Sequence, residues 1–163
     1  MSDAATLKVA TPGDREIVLT RAFNAPRQLV FDAFTKPELL KRWLFGLPGW
    51  SLAVCEIDLT VGGSWRYVWR GPDGAEMGMT SVLLEIDPPE RIVTREKWDQ
   101  AWYPGEAVGT IVLIEKDGKT TLTHTLRYPT PEGRDIALQS AVEGMEMGYG
   151  RLDQLFSSPE FGQ

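Results

Sequence analysis

Thr60-Val61-Gly62-Gly63-Ser64-Trp65-Arg66-Tyr67-Val68-Trp69-Arg70-Gly71-Pro72-Asp73-Gly74 is the stretch that decides the fold class. From Ser64 to Arg70 the side chains alternate with period two. Trp65, Tyr67 and Trp69 share one face while Arg66, Val68 and Arg70 share the other, the pattern of a strand with one dry side. Thr60 to Gly63 and Gly71 to Gly74 supply the turn residues that fold a chain back on itself, so the neighbouring strands are antiparallel.

Working outward, Ser51 to Leu59 and Glu76 to Ile86 read as flanking strands. Asp87-Pro88-Pro89-Glu90 then turns the chain into a strand over Arg91 to Trp98. Two long β-patterned runs follow, Ala107 to Glu115 and Thr120 to Tyr128, joined by Lys116-Asp117-Gly118-Lys119, where Asp-Gly is a strong hairpin signal. Upstream, Glu16 to Phe23 is a strand ended by Asn24-Ala25-Pro26. Pro26 opens a helix with Leu29, Val30, Ala33 and Phe34 on one stripe, and Pro37 opens a second, short one over Glu38 to Trp43. After Pro129-Thr130-Pro131 the chain to Phe156 reads as a long helix, with Ala141, Met145, Gly148, Leu152 and Leu155 near helical period. An α+β fold follows: one strand, two short helices, about six more antiparallel strands, and a long helix laid across the apolar face of a curved sheet.

The chain has 163 residues, 42% of them hydrophobic and 25% charged, enough for one well-buried core. We expect a flexible N-terminal arm over 1–14, with a short pairing segment at Thr6 to Ala10, a single domain over 15–157 and a tail over 158–163. The net charge of −6 argues against a nucleic-acid partner and against adsorption to an anionic membrane. No apolar N-terminal run resembles a signal peptide or a membrane span, which points to a cytoplasmic protein. The lone Cys55 leaves no internal disulfide or cysteine metal cluster.

Two aromatic loops stand out. Trp43-Leu44-Phe45-Gly46-Leu47-Pro48-Gly49-Trp50 follows the second helix, and Trp102-Tyr103 precedes Pro104-Gly105. With the strand aromatics they outline an apolar wall, and the expected ligand-contacting set is Phe45, Trp50, Trp65, Tyr67, Trp69, Met79, Trp98, His124, Met145 and Tyr149. Met77 belongs to the same wall. Gly144 and Gly148 remove side chains from the long helix one turn apart, and Met145 and Met147 offer adaptable surface.

Reactive groups are sparse. No serine sits in a nucleophile elbow, no ligand spacing marks a metal site, and Gly62-Gly63 lacks the helix start and lysine of a phosphate loop, so neither metal nor cofactor is expected. Glu96 shares a strand face with Ile92, Thr94 and Trp98, and His124 with Leu122 and Leu126. If both point inward, burial raises the carboxylate pKa and lowers that of the imidazole, making them the candidate acid/base or ligand-anchoring pair.

Several segments in order resemble a known family: Phe23-Asn24-Ala25-Pro26-Arg27 through Lys36-Pro37-Glu38, Val61-Gly62-Gly63-Ser64-Trp65-Arg66, Gly71-Pro72-Asp73-Gly74, Glu85-Ile86-Asp87-Pro88-Pro89-Glu90-Arg91, and Gly144-Met145-Glu146-Met147-Gly148-Tyr149. They resemble bacterial proteins related to the C-terminal domain of the activator of Hsp90 ATPase, within the START-like (SRPBCC, Bet v 1-like) superfamily. The resemblance implies a helix-grip fold: a curved seven-stranded antiparallel sheet wrapped around the C-terminal helix, an apolar cavity between them, and two short helices after the first strand. Three functions follow as expectations. The first is binding of a small hydrophobic molecule, aromatic or lipid-like, in that cavity. The second is a chaperone-related, stress-response interaction module using surface aromatics such as Trp102 and Tyr103. The third is a cavity enzyme, a cyclase, dehydratase or hydrolase, using His124 and Glu96. An exposed sheet edge or aromatic loop also offers a route to a homodimer.

Overall fold

The computed structural model describes residues 6–161. The first five residues of the expected arm and the last two of the tail lie outside the described residues. The elements are β1 (Lys8–Ala10), β2 (Glu16–Phe23), α1 (Arg27–Thr35), α2 (Pro37–Leu40), β3 (Ser51–Ile57), β4 (Ser64–Arg70), β5 (Glu76–Asp87), β6 (Arg91–Trp98), β7 (Ala107–Lys116), β8 (Lys119–Arg127) and α3 (Pro131–Phe156), followed by a 3-10 turn at Pro159–Phe161. All strands join one antiparallel sheet in the order β1-β2-β8-β7-β6-β5-β4-β3.

The sheet therefore has eight strands rather than seven. The extra one is Lys8–Ala10, which pairs with Val18 to Thr20 at the edge. It falls within the pairing segment expected at Thr6 to Ala10, which the seven-strand count implied by the resemblance leaves out. The second short helix also ends earlier than its apolar spacing predicts, at Leu40 instead of Trp43. The reason lies in the Trp43 indole, which donates Nε1–H to the Ala33 carbonyl at 2.8 Å and packs edge-on to Phe34.

Two hairpins close as their residues dictate. Asp117 and Gly118 both take positive φ, 56° and 78°, the two-residue turn that matches the twist of its strands. Register shifts between Leu52 and Val54 and between Leu83 and Glu85 break the ladders locally, the kind of irregularity that bends a sheet.

α3 is gripped at both ends. At its start the Thr130 hydroxyl accepts from the Gly133 N–H at 3.0 Å. Near its end Asp153 receives a two-pronged ion pair from Arg21 of β2 at 3.0 and 2.6 Å. Arg21 is only 5% exposed and sits on the inward side of β2 with Ile17, Leu19 and Phe23. Tyr149 and Phe156 meet the Phe23 ring edge-on, at centroid distances of 5.8 and 5.7 Å. Among the described residues no helix is long and apolar enough to cross a membrane.

The helical glycines differ in kind. A methyl group on Gly148 would stand 3.3 Å from the Trp43 ring, which its hydrogen bond and the Phe34 contact hold in place. Gly144 is exposed and has open space beside it. Gly144→Ala should therefore raise stability by about 0.5–1 kcal/mol, a Tm gain of roughly 1–4 °C. Gly148→Ala should lower it by about 1–2 kcal/mol through overpacking. Thermal unfolding of the two variants checks the contrast, and equal shifts would refute the packing role of Gly148.

Candidate functional site

The strand registers place inward side chains in rows across the sheet. One row runs Leu19, His124, Ile111 and Ile92; the next runs Ile17, Leu126, Gly109, Thr94 and Leu83. A third holds Ala107, Glu96, Ser81, Trp65 and Ile57, and a fourth Trp98, Met79, Tyr67 and Cys55. Both titratable candidates thus face inward, as strand parity predicts. They are not neighbours. On β7 their partners Ala107 and Ile111 are four residues apart, which is about 13 Å along a strand. The register does not bring them together as a hydrogen-bonded acid/base pair.

His124 lies against the backbone of Gly109, where a methyl group would be 3.4 Å from its Nε2. Its Nδ1 is 3.4 Å from the Tyr149 hydroxyl of α3. Burial pushes the imidazole pKa down to about 4, so the ring is neutral at ordinary pH, and burial likewise pushes the Tyr149 phenol up. Glu96 has small neighbours on both sides, Ala107 and Ser81, and no hydrogen-bond or ion-pair partner among the described residues. Burial raises its pKa to about 7. Glu96 and His124 are both half-buried.

Around Glu96 the aromatic rings form a continuous run. Tyr67 meets Trp69 at 5.6 Å, Trp69 stacks on Trp98 at 5.5 Å, and Trp98 meets Trp102 at 6.1 Å. Trp102 then meets Tyr103 at 4.5 Å, and Tyr103 meets Tyr128 at 5.1 Å. The phenols of Tyr67, Tyr103 and Tyr128 are pushed up first by burial and further by the Glu96 charge. The Trp98 Nε1–H and the Tyr103 hydroxyl are buried without a hydrogen bond of good geometry. The core divides into two apolar clusters, and Trp98 and Met145 pack against both, so they mark the seam between them.

The remaining expected residues are placed as follows. Tyr67, Met79 and Tyr149 are buried; Trp69, Trp98 and Met145 are half-buried. Trp65 is buried and donates its indole N–H to the Asp58 carbonyl at 2.9 Å. Met77 shares the inward parity of Trp69 but is 43% exposed at the sheet's end. Phe45 lies under the Arg151 guanidinium at 3.8 Å, in a cleft of about 320 Å³ that also involves Arg42, Gln154, Leu155 and Ser158. Trp50 covers Gly71, where a methyl group would be 2.9 Å from its ring. Trp69 ties this loop to the interior, donating its indole N–H to the Leu44 carbonyl at 2.8 Å. The aromatic loop 102–103 turns inward rather than outward: Tyr103 is 4% exposed. Sequence reasoning missed Tyr103 as an interior residue because it lies in a loop beside Pro104 and Gly105, where no alternation reports its direction, whereas Tyr128 shares the parity of Leu122, His124 and Leu126 and could have been found from it.

Residues 24–157 match the family model described as Activator of Hsp90 ATPase homolog 1-like protein. A protein of Rhodobacter sphaeroides has a crystal structure with a TM-score of 0.87 at 32% identity, covering 93% of this chain and 97% of that one. A protein of Nitrosomonas europaea gives a TM-score of 0.78 at 26% identity over 90% and 96% of the two chains. An Hsp90 activator from Plasmodium falciparum gives 0.54 at 25% identity over 71% and 74%. No curated protein matches the chain.

The two shifted groups act on stability in opposite directions. Folded Glu96 holds its proton up to about pH 7, against an ordinary value of 4.5, so the folded chain binds more protons in that window and stability falls as pH rises. Folded His124 stays neutral down to about 4, against 6.5, so the folded chain binds fewer protons and stability rises with pH across that window. Each contribution is of the order of 3 kcal/mol. Relative to the parent, Glu96→Gln should gain stability progressively from pH 4.5 to 7, and His124→Gln should gain it as pH falls from 6.5 to 4. Urea unfolding across pH 4 to 8 measures both differences, and pH-independent differences would contradict the inward placement.

Proposed function

The chain belongs to the family of Activator of Hsp90 ATPase homolog 1-like proteins, and within that family we propose that it binds a small, largely apolar molecule between the concave face of the sheet and α3. The observation that supports this reading is that inward-facing side chains, Glu96 and His124 together with Trp69, Trp98 and Met145, are only half-buried. Pockets for small molecules combine apolar walls with a few polar groups in this way. Tyr67, Trp69, Met79, Trp98 and Met145 supply the apolar wall. His124 with Tyr149 forms one polar end and Glu96 the other. Loop 44–50, with Phe45 and Trp50, forms the entrance through its bond to Trp69.

A second reading, direct work with a chaperone, draws on the likeness to the Plasmodium falciparum Hsp90 activator. It predicts co-purification with Hsp90 and a stimulated ATPase rate, and it fails if the purified chain does neither.

The binding reading predicts that N-phenyl-1-naphthylamine, a neutral apolar fluorophore, gains emission saturably on addition of the native protein. Tryptophan emission should be quenched in step. Trp69→Ala should weaken binding about tenfold, the loss of one well-placed aromatic contact. Absence of any saturable response in the folded protein would sink the proposal.

A further inference from the structure

We infer that the hollow around Glu96 is a recognition site for an organic cation, a tertiary or quaternary ammonium group at the end of the apolar ligand. The inference rests on the ligand-binding reading above and specifies its chemistry. Three independent features of the hollow converge on it.

The first is a carboxylate without a counter-charge. No lysine, arginine or hydrogen-bond donor pairs with Glu96 among the described residues, and its strand neighbour Arg95 turns outward to Glu106 at 2.9 Å. A buried carboxylate left alone is costly, and native folds resolve such groups with a partner. The second is room. The cross-strand neighbours of Glu96 are the small residues Ala107 and Ser81, and the glutamate keeps part of its surface accessible. The third is the wall. Tyr67, Tyr103 and Tyr128 lie close enough to Glu96 for their phenols to respond to its charge, Trp98 follows it on the same strand face, and the faces of all four rings carry negative electrostatic potential.

Together these select a ligand by charge and by hydration. An anion meets a carboxylate and electron-rich rings and is repelled. A compact metal ion or a primary ammonium surrenders strong hydration that rings cannot replace. A methylated ammonium is weakly hydrated, spreads its charge over its methyl groups, and gains from both ring faces and the carboxylate.

The test compares octyltrimethylammonium, octanol and octanoate by tryptophan quenching of the full chain, with N-phenyl-1-naphthylamine as the neutral reference. The expected result is that octyltrimethylammonium binds at least about tenfold tighter than octanol and that octanoate binds weakest. Glu96→Gln, which the pH analysis expects to fold at least as stably as the parent above pH 7, should abolish the preference. In the parent, affinity for the permanently charged ligand should rise about tenfold from pH 6 to pH 8 as the ionised fraction of Glu96 grows. No other group facing the hollow titrates in that range: Tyr67 from β4, Tyr103 from the β6–β7 loop and Tyr128 beyond β8 are all pushed up, and α3 brings Ala141, Val142 and Met145 to this cluster. Equal binding of octanol and octyltrimethylammonium, unchanged in Glu96→Gln, would overturn the cation assignment and leave the apolar-ligand reading standing. If the neutral reference and all three octyl compounds fail to bind, both fall together.

Discussion

A positive charge on the inward face of β2 constrains this fold more than any other single feature. Arg21 occupies a position that parity reserves for apolar side chains, between Leu19 and Phe23, and it is almost fully buried. A guanidinium there must be answered, because an unpaired buried charge costs several kcal/mol. Asp153 answers it with two short bonds, and the Phe23 ring face lies 4.8 Å from the guanidinium carbon. The pair fixes α3 in rotation as well as position. Once Asp153 is turned toward β2, Tyr149, Leu152 and Phe156, each within a turn of it, are directed into the core.

Both ends of α3 are then held, and the middle is not. The buried residues of α3 are Gly133 and Ala137 near its start and Gly148, Tyr149, Leu152, Leu155 and Phe156 toward its end. Between them, residues 138–147 contain none. Gly148 lets the helix settle on Trp43, and Gly133 lets it settle on the backbone side of Tyr103, where a methyl group would be 3.1 Å from the tyrosine Cβ. The central span passes over the seam between the two apolar clusters, with Met145 reaching both. The middle of α3 therefore contributes no fully buried side chain between its two pinned ends.

Much of this was legible in the sequence because it depends on local period. Trp65, Tyr67 and Trp69 announce one dry face, Asp117-Gly118 announces its hairpin, and the inward direction of Glu96 follows from Ile92, Thr94 and Trp98 on the same strand. What stayed hidden depends on contacts between distant segments. Arg21 and Asp153 are separated by 132 positions, and nothing in either neighbourhood names the other. Trp43 fits the apolar spacing of a longer α2, and only its bond to Ala33 removes it from the helix. Tyr103 sits among loop residues that usually face water, and its burial against Tyr128 and Gly133 needs the folded chain to be seen.

The polar interior also links stability to occupancy. Between about pH 4 and 7 the folded chain keeps both Glu96 and His124 neutral, and holding them so against their ordinary values of 4.5 and 6.5 already costs stability across that window. Above that range the ionised carboxylate has no partner within the protein, and the fold bears the cost of burying it. A leucine at position 96 would avoid that cost. The glutamate makes sense as a group completed from outside. A ligand that pairs with it relieves the buried charge and adds its own binding free energy to that of folding, so occupancy and stability rise together, most strongly where the empty site is least comfortable.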